Sequence, residues 1–151
     1  FLFYIIYEFL PVAGPQYYFK AVGVEAACTG DFPAVGYYFQ NHTEMLTPEI
    51  KGIFSKLVIG AQEVGERPTA AFPSSHVGMS TVTMMLAWKT RNRWLFWVMF
   101  PVYLLLCGAT VYILAHYLID SICGFFTAIL FFCFTSWLYD KLHPGYNTER
   151  D

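Results

Sequence analysis

From residue 94 to residue 139 the chain carries no lysine, arginine or glutamate and a single aspartate, Asp120. His116 divides this stretch into two apolar segments, 94–115 and 117–139. A helix needs about 20 predominantly apolar residues to cross the hydrocarbon of a bilayer, and each segment is long enough. Few soluble folds can bury two such consecutive helices. Composition points the same way: 56% of the residues are hydrophobic, 20% aromatic and only 13% charged. An ordinary soluble domain carries about a quarter charged residues. The expectation is an all-α, polytopic transmembrane bundle, one domain over 1–151, embedded with its substrate in or at the lipid. A net charge of -2 offers no electrostatic footprint for nucleic acid.

Two further segments complete the bundle. Residues 74–88 form a third apolar helix, with Ser74 or Ser75 as its cap. Residues 1–10 are apolar but too short to span, and end at Pro11. They read as the second half of a helix cut at its N-terminus, so the chain reads as N-terminally truncated. From residue 11 to about 47, Gly, Pro, polar and aromatic residues mix as in an extramembrane loop. Between 48 and 64, Ile50, Phe54, Leu57, Val58, Ala61 and Val64 recur at helical spacing among charged residues. This predicts a peripheral amphipathic helix, lying at the interface or covering the active site, capped by Thr47 with Pro48 at its first position.

Charge sets the topology. Lys89, Arg91 and Arg93 cluster in the connection between two spanning segments, which places that turn in the cytoplasm. Alternate spanning then brings His76 and His116, 40 residues apart, to the same non-cytoplasmic face. The chain is therefore expected to be an integral membrane protein with its active site on that face.

The chemistry of these two segments is specific. Pro73-Ser74-Ser75-His76 stands where a helix begins. Unpaired N–H groups and the positive end of the helix dipole make a ready anion site there, and Ser74 and Ser75 add hydroxyl donors. Asp120 follows His116 by four residues, which puts the two on one face of a helix. An acid near the hydrocarbon edge costs a few kcal/mol on insertion scales. A hydrogen bond from His116 would make it tolerable, and the carboxylate would fix the imidazole tautomer. Two histidines of this kind suit phosphoryl transfer through a phospho-histidine. Arg67, in the loop before Pro68, can grip phosphate oxygens in a fork. Its alternative is an ion pair with Glu66 or Glu63. A divalent ion on His42, His76, His116 and Asp120 is the competing chemistry. No HExxH pair or carboxylate cluster supports it, so no metal and no cofactor are expected.

These residues resemble the motifs of the type-2 phosphatidic acid phosphatase superfamily: Lys-x6-Arg-Pro, Pro-Ser-Gly-His and Ser-Arg-x5-His-x3-Asp. Phe72-Pro73-Ser74-Ser75-His76 resembles the second, with Ser75 in place of Gly. Ala109-Thr110-x5-His116-x3-Asp120 has the spacing of the third, followed by Gly124. Arg67-Pro68 resembles the end of the first. The resemblance covers residues 67–130. It implies His116 as nucleophile, Asp120 as its partner and His76 as general acid; Arg67, Ser74 and Ser75 are the candidate phosphate ligands on the chemistry above. Gly60 and Thr110 stand where the family carries its lysine and an arginine. The altered third motif and Pro11-Val12-Ala13-Gly14-Pro15-Gln16 look more like the inositol phosphorylceramide synthase branch, whose members transfer a phospho-headgroup between lipids. The expected function is a lipid phosphatase or phosphotransferase acting on a phospholipid or lipid phosphate. The alternative is a non-catalytic bundle or transporter-like scaffold, which the missing cations would favour.

Overall fold

The computed structural model describes residues 2–46 and 52–143. Among these residues the protein is all-α, with one isolated parallel bridge between Val12 and Ala70. The helices are α1 (Leu2–Phe9), α2 (Pro15–Val22), α3 (Val24–Thr29), α4 (Ile53–Gly65), α5 (Ser75–Lys89), α6 (Arg93–Tyr112) and α7 (Leu118–Leu142). A single 3-10 turn lies at Tyr38–Gln40.

α5 is the central element and packs against both α6 and α7. Ser74 caps it, its hydroxyl oxygen accepting from Val77 N–H at 3.3 Å. α6 is capped by Asn92, whose Oδ1 accepts from Leu95 N–H at 3.1 Å, and it runs on through Pro101. α6 and α7 are both long and apolar enough to cross a membrane, yet only 6% and 22% of their apolar windows are buried within the protein. A core helix of a soluble protein would be largely buried. α1 lies across α5 and α7. Its Phe3 ring meets Phe131 edge-on at 5.5 Å and covers Gly78 so closely that a methyl there would strike the ring.

At the start of α5 and of α7, three connecting segments are stitched into a layer by backbone hydrogen bonds. Gly14 N–H donates to Pro68 at 3.1 Å, Ala71 N–H to Val12 at 3.1 Å, and Gln16 N–H to Leu114 at 3.0 Å. Ser74 N–H donates to the Asp120 carbonyl at 2.9 Å, which ties α5 to α7. The cationic turn lies at the far end of α5. Fifteen residues at about 1.5 Å each separate it from this layer. There Arg93 sits over the Trp88 ring at 4.0 Å.

Several expectations change. The segment after Pro11 is more ordered than a loop, because Pro15 occupies the first helical position of α2, where its missing N–H costs nothing. α4 is a helix as expected, and its apolar residues Ile53, Phe54 and Leu57 are exposed. Its buried attachment is polar Gln62. The expected cap Thr47 and Pro48, like the tail from 144 onward, lie outside the described residues. α6 ends at Tyr112 rather than near residue 115, because Leu114 takes a left-handed φ of 60°, where a helix cannot continue.

Candidate functional site

His116 lies in the turn between α6 and α7, not on a helix. The helical pairing with Asp120 therefore does not form. His116 is 4% exposed, and its backbone N–H donates to the Thr110 carbonyl at 3.1 Å. Its ring Nδ1 is 2.8 Å from the Ala71 carbonyl oxygen. A carbonyl can only accept, so Nδ1 carries the proton and Nε2 keeps its lone pair. Nε2 faces His76 Nδ1 at 3.2 Å, with ring centroids 5.5 Å apart. The facing proton then belongs to His76. The backbone of Ala71 thus supplies the tautomer control that the sequence assigned to a carboxylate.

Asp120 serves a different purpose. Its Oδ2 accepts from Tyr117 N–H at 2.8 Å, closing the first turn of α7, where a carboxylate is favoured by the helix dipole. Its backbone carbonyl accepts from Ser74. One buried residue, 1% exposed, therefore fixes the backbone just after His116 and just before His76. Asp120 is a positioning residue here.

Both histidines open onto a cavity of about 380 Å³ that Ser75, Arg67 and Glu66 also line. Arg67 is the one Lys or Arg side chain on its wall among the described residues. Ser74 is fully buried, and its hydroxyl is spent on the cap. The backbone N–H of Ser75 donates to Tyr7 Oη at 3.1 Å, and Tyr7 donates to the Pro73 carbonyl at 2.9 Å. Tyr7 thus clamps the α5 entrance from α1. Thr110 is buried with its hydroxyl on Cys107 at 3.0 Å, and Gly60 is exposed on α4. Neither lines the cavity. His42 stacks on Tyr38 at 4.1 Å instead.

Sequence reasoning missed Tyr7, Gln16, Gln62 and the Ala71 carbonyl. It named Glu66 only as a partner for Arg67. In the structure Gln62 Nε2 donates to Gln16 Oε1 at 2.8 Å, and Gln16 Nε2 donates to Glu66 Oε2. Burial pushes the Glu66 carboxyl up, opposed by the Gln16 amide.

Burial lowers the His116 pKa to about 4. The Ala71 hydrogen bond opposes the shift and the neighbouring His76 charge adds to it. An unperturbed histidine titrates near about 6.5. The His116 ring thus stays neutral well below that value, and an acid limb of any turnover that needs neutral His116 is expected near pH 4. Stability follows the same group. Between pH 6.5 and about 4 the unfolded chain binds a proton that the folded one does not. Stability from this residue is therefore full above 6.5 and falls as pH drops towards 4. Denaturant unfolding across that range, compared with His116→Asn, checks it. The variant should show a shallower slope.

No curated protein and no solved structure matches the chain significantly. A family model does, over residues 1–134, and its description is PAP2 superfamily. Both histidine segments, Arg67 and Asp120 fall inside that match. Members of this superfamily are phosphatases and related phosphoesterases that act on phosphorylated substrates. The chain belongs to the PAP2 superfamily.

Proposed function

We propose that this protein is a membrane-embedded enzyme that breaks a lipid phosphoester through a phospho-histidine at His116. The observation that carries the reading is the His116 ring. Its Nδ1–H is held by a carbonyl, and its Nε2 lone pair is aimed at His76 beside a cavity lined by Arg67. A tautomer locked this way presents a nucleophile without a proton transfer beforehand.

In this mechanism His116 Nε2 attacks phosphorus while the bond to the leaving alcohol breaks. His76, in its imidazolium form, gives the leaving oxygen its proton. His76 is exposed, so it can reload from solvent. Water or a lipid hydroxyl then attacks the phospho-histidine, returns a proton to His76 and frees His116. Water gives a phosphatase; a lipid hydroxyl gives a phosphotransferase. The ring-to-ring hydrogen bond at 3.2 Å leaves no room for a phosphoryl group, so substrate must part the two rings on entry. Arg67 is the phosphate cation of this site, and Ser75 lines the same cavity.

α6 and α7 would span the bilayer, with Trp94, Trp97 and Trp137 exposed on their surfaces. α4 would lie on the membrane, its exposed apolar residues in the interface. The reactive end then faces away from the cytoplasm, because the cationic turn marks the other end. The unit spans 1–151, with the chemistry between 67 and 130.

The purified protein in lipid vesicles, given phosphorus-labelled phospholipid with and without ceramide or diacylglycerol, tests this reading. Label in water identifies hydrolysis, and label on the acceptor identifies transfer. Arg67→Lys keeps charge but loses the planar fork, and turnover should fall about tenfold or more. If Arg67→Ala left turnover untouched in a folded protein, phosphate would be held by other means and a non-catalytic scaffold would become the better reading.

A further inference from the structure

We propose that Glu66 sets the charge of the ester this site accepts: its carboxylate, fixed in the cavity wall by Gln16, disfavours a dianionic phosphomonoester and leaves a monoanionic phosphodiester as the preferred substrate. This rests on the reading of His116 and His76 as a phosphoryl-transfer pair and concerns which ester reaches them.

The position of Glu66 is built from behind. Gln16 is 1% exposed and Gln62 is 6% exposed. Because Gln62 occupies the Gln16 amide oxygen, only the Gln16 NH₂ is left to meet Glu66. The Gln16 backbone is held as well: its N–H donates to Leu114 and its carbonyl accepts from Leu46, both at 3.0 Å. A surface glutamate swings freely into water. This one is anchored across 50 residues of sequence, on the edge of the cavity that holds both histidines.

Among the described residues no cation pairs with its carboxylate. The groups that act on the carboxyl are its burial and the Gln16 amide, and neither is a cation. Two acids, Glu8 and Glu66, share the cavity wall with one base, Arg67. With His76 in the imidazolium form that the leaving oxygen needs, acids and bases on the wall are equal in number. Arg67 can offset the single charge of a phosphodiester. The His76 proton is directed at the leaving oxygen, so the second charge of a phosphomonoester would face the fixed carboxylate. At an effective dielectric typical of protein sites, one such uncompensated pair a few ångströms apart is worth about tenfold or more in affinity.

Glu66→Gln tests this, because the Gln oxygen can still accept from Gln16 and the anchoring network is kept. The measurement is made at mildly alkaline pH, which favours the carboxylate form. The full chain in vesicles is offered phosphatidic acid or phosphatidylmethanol, which differ by one methyl on the phosphate. The wild type should prefer the methyl diester in kcat/KM. Glu66→Gln should move that ratio about tenfold towards the monoester, and Glu66→Asp should keep the wild-type preference. An equal loss on both lipids, or an unchanged ratio, would overturn the proposal. A second arm needs no turnover: binding of inorganic phosphate and of dimethyl phosphate to the detergent-solubilised protein. Glu66→Gln should tighten phosphate and leave dimethyl phosphate unchanged; equal changes would again refute it. If neither lipid is turned over by the wild type, the enzymatic reading fails, and the binding arm still decides the role of Glu66.

Discussion

Replacing His116 with alanine abolishes turnover in this account, because no other side chain on the cavity wall combines a free lone pair with a locked tautomer. His76 cannot substitute. It is the proton donor to the leaving group, and its facing nitrogen carries the hydrogen. The substitution also removes the partner of the Ala71 carbonyl. Leaving a buried acceptor unpaired costs about 1–3 kcal/mol, so some loss of stability is expected beside the loss of chemistry. His116→Asn separates the two effects. Its amide can donate to Ala71, but it has no nucleophilic nitrogen. Both variants should be inactive, with His116→Asn the more stable. Retained activity in either folded variant would remove His116 from the mechanism.

The second large effect is expected from a residue that touches no substrate. Gly124 lies where α7 passes the start of α5, and a methyl there would collide with the Ser74 carbonyl. A flexible side chain could yield, but backbone cannot move without moving its neighbours. Ser74 is tied to Asp120 by its N–H at 2.9 Å and lies two residues before His76. In a free helix Gly→Ala is worth about 1 kcal/mol in favour of alanine. Overpacking against backbone costs about 1–3 kcal/mol, so the net result is destabilisation. The catalytic cost should be larger than the stability cost. Displacing one reactive group by about 1 Å can cost about a hundredfold in rate. Gly124→Ala should therefore keep its fold at moderate temperature and lose most of its kcat. An unchanged kcat would show that the α5–α7 contact does not set the histidine geometry.

Much of this arrangement was legible in the sequence. Length and apolarity located α5, α6 and α7 to within a few residues, because charge is scarce enough there for its absence to mark the segments. The meeting of His76 with His116 agrees with the alternating direction expected of consecutive helices. The limits were physical. A four-residue spacing predicts side-chain contact only within a helix, and His116 stands outside one. Leu114, in a left-handed conformation that its residue type does not advertise, ends α6 early and turns His116 towards Ala71. The partner it finds is a backbone carbonyl, which every residue possesses, so no sequence pattern could single out Ala71. Tyr7 was hidden for a similar reason. Its role depends on α1 crossing the start of α5, a tertiary contact 68 residues away. α4 was recognised by its periodicity, yet periodicity gives a face and not a direction. Ile53, Phe54 and Leu57 are exposed, and a glutamine makes the attachment. Asp120 was read correctly as a residue whose burial needs a reason. The reason is the backbone it holds on either side rather than the ring it was expected to touch.

The decisive measurement is the chemical identity of the covalent intermediate. Protein incubated with phosphorus-labelled lipid is quenched, digested and mapped, with His76→Ala included because it removes the group that takes the proton of the attacking water in the second step. The account predicts label on His116 at Nε2, lost in acid and retained in alkali, and absent from His116→Asn. Label on Ser75 or on the Asp120 carboxylate, or turnover with no label on His116 in any variant, would contradict it.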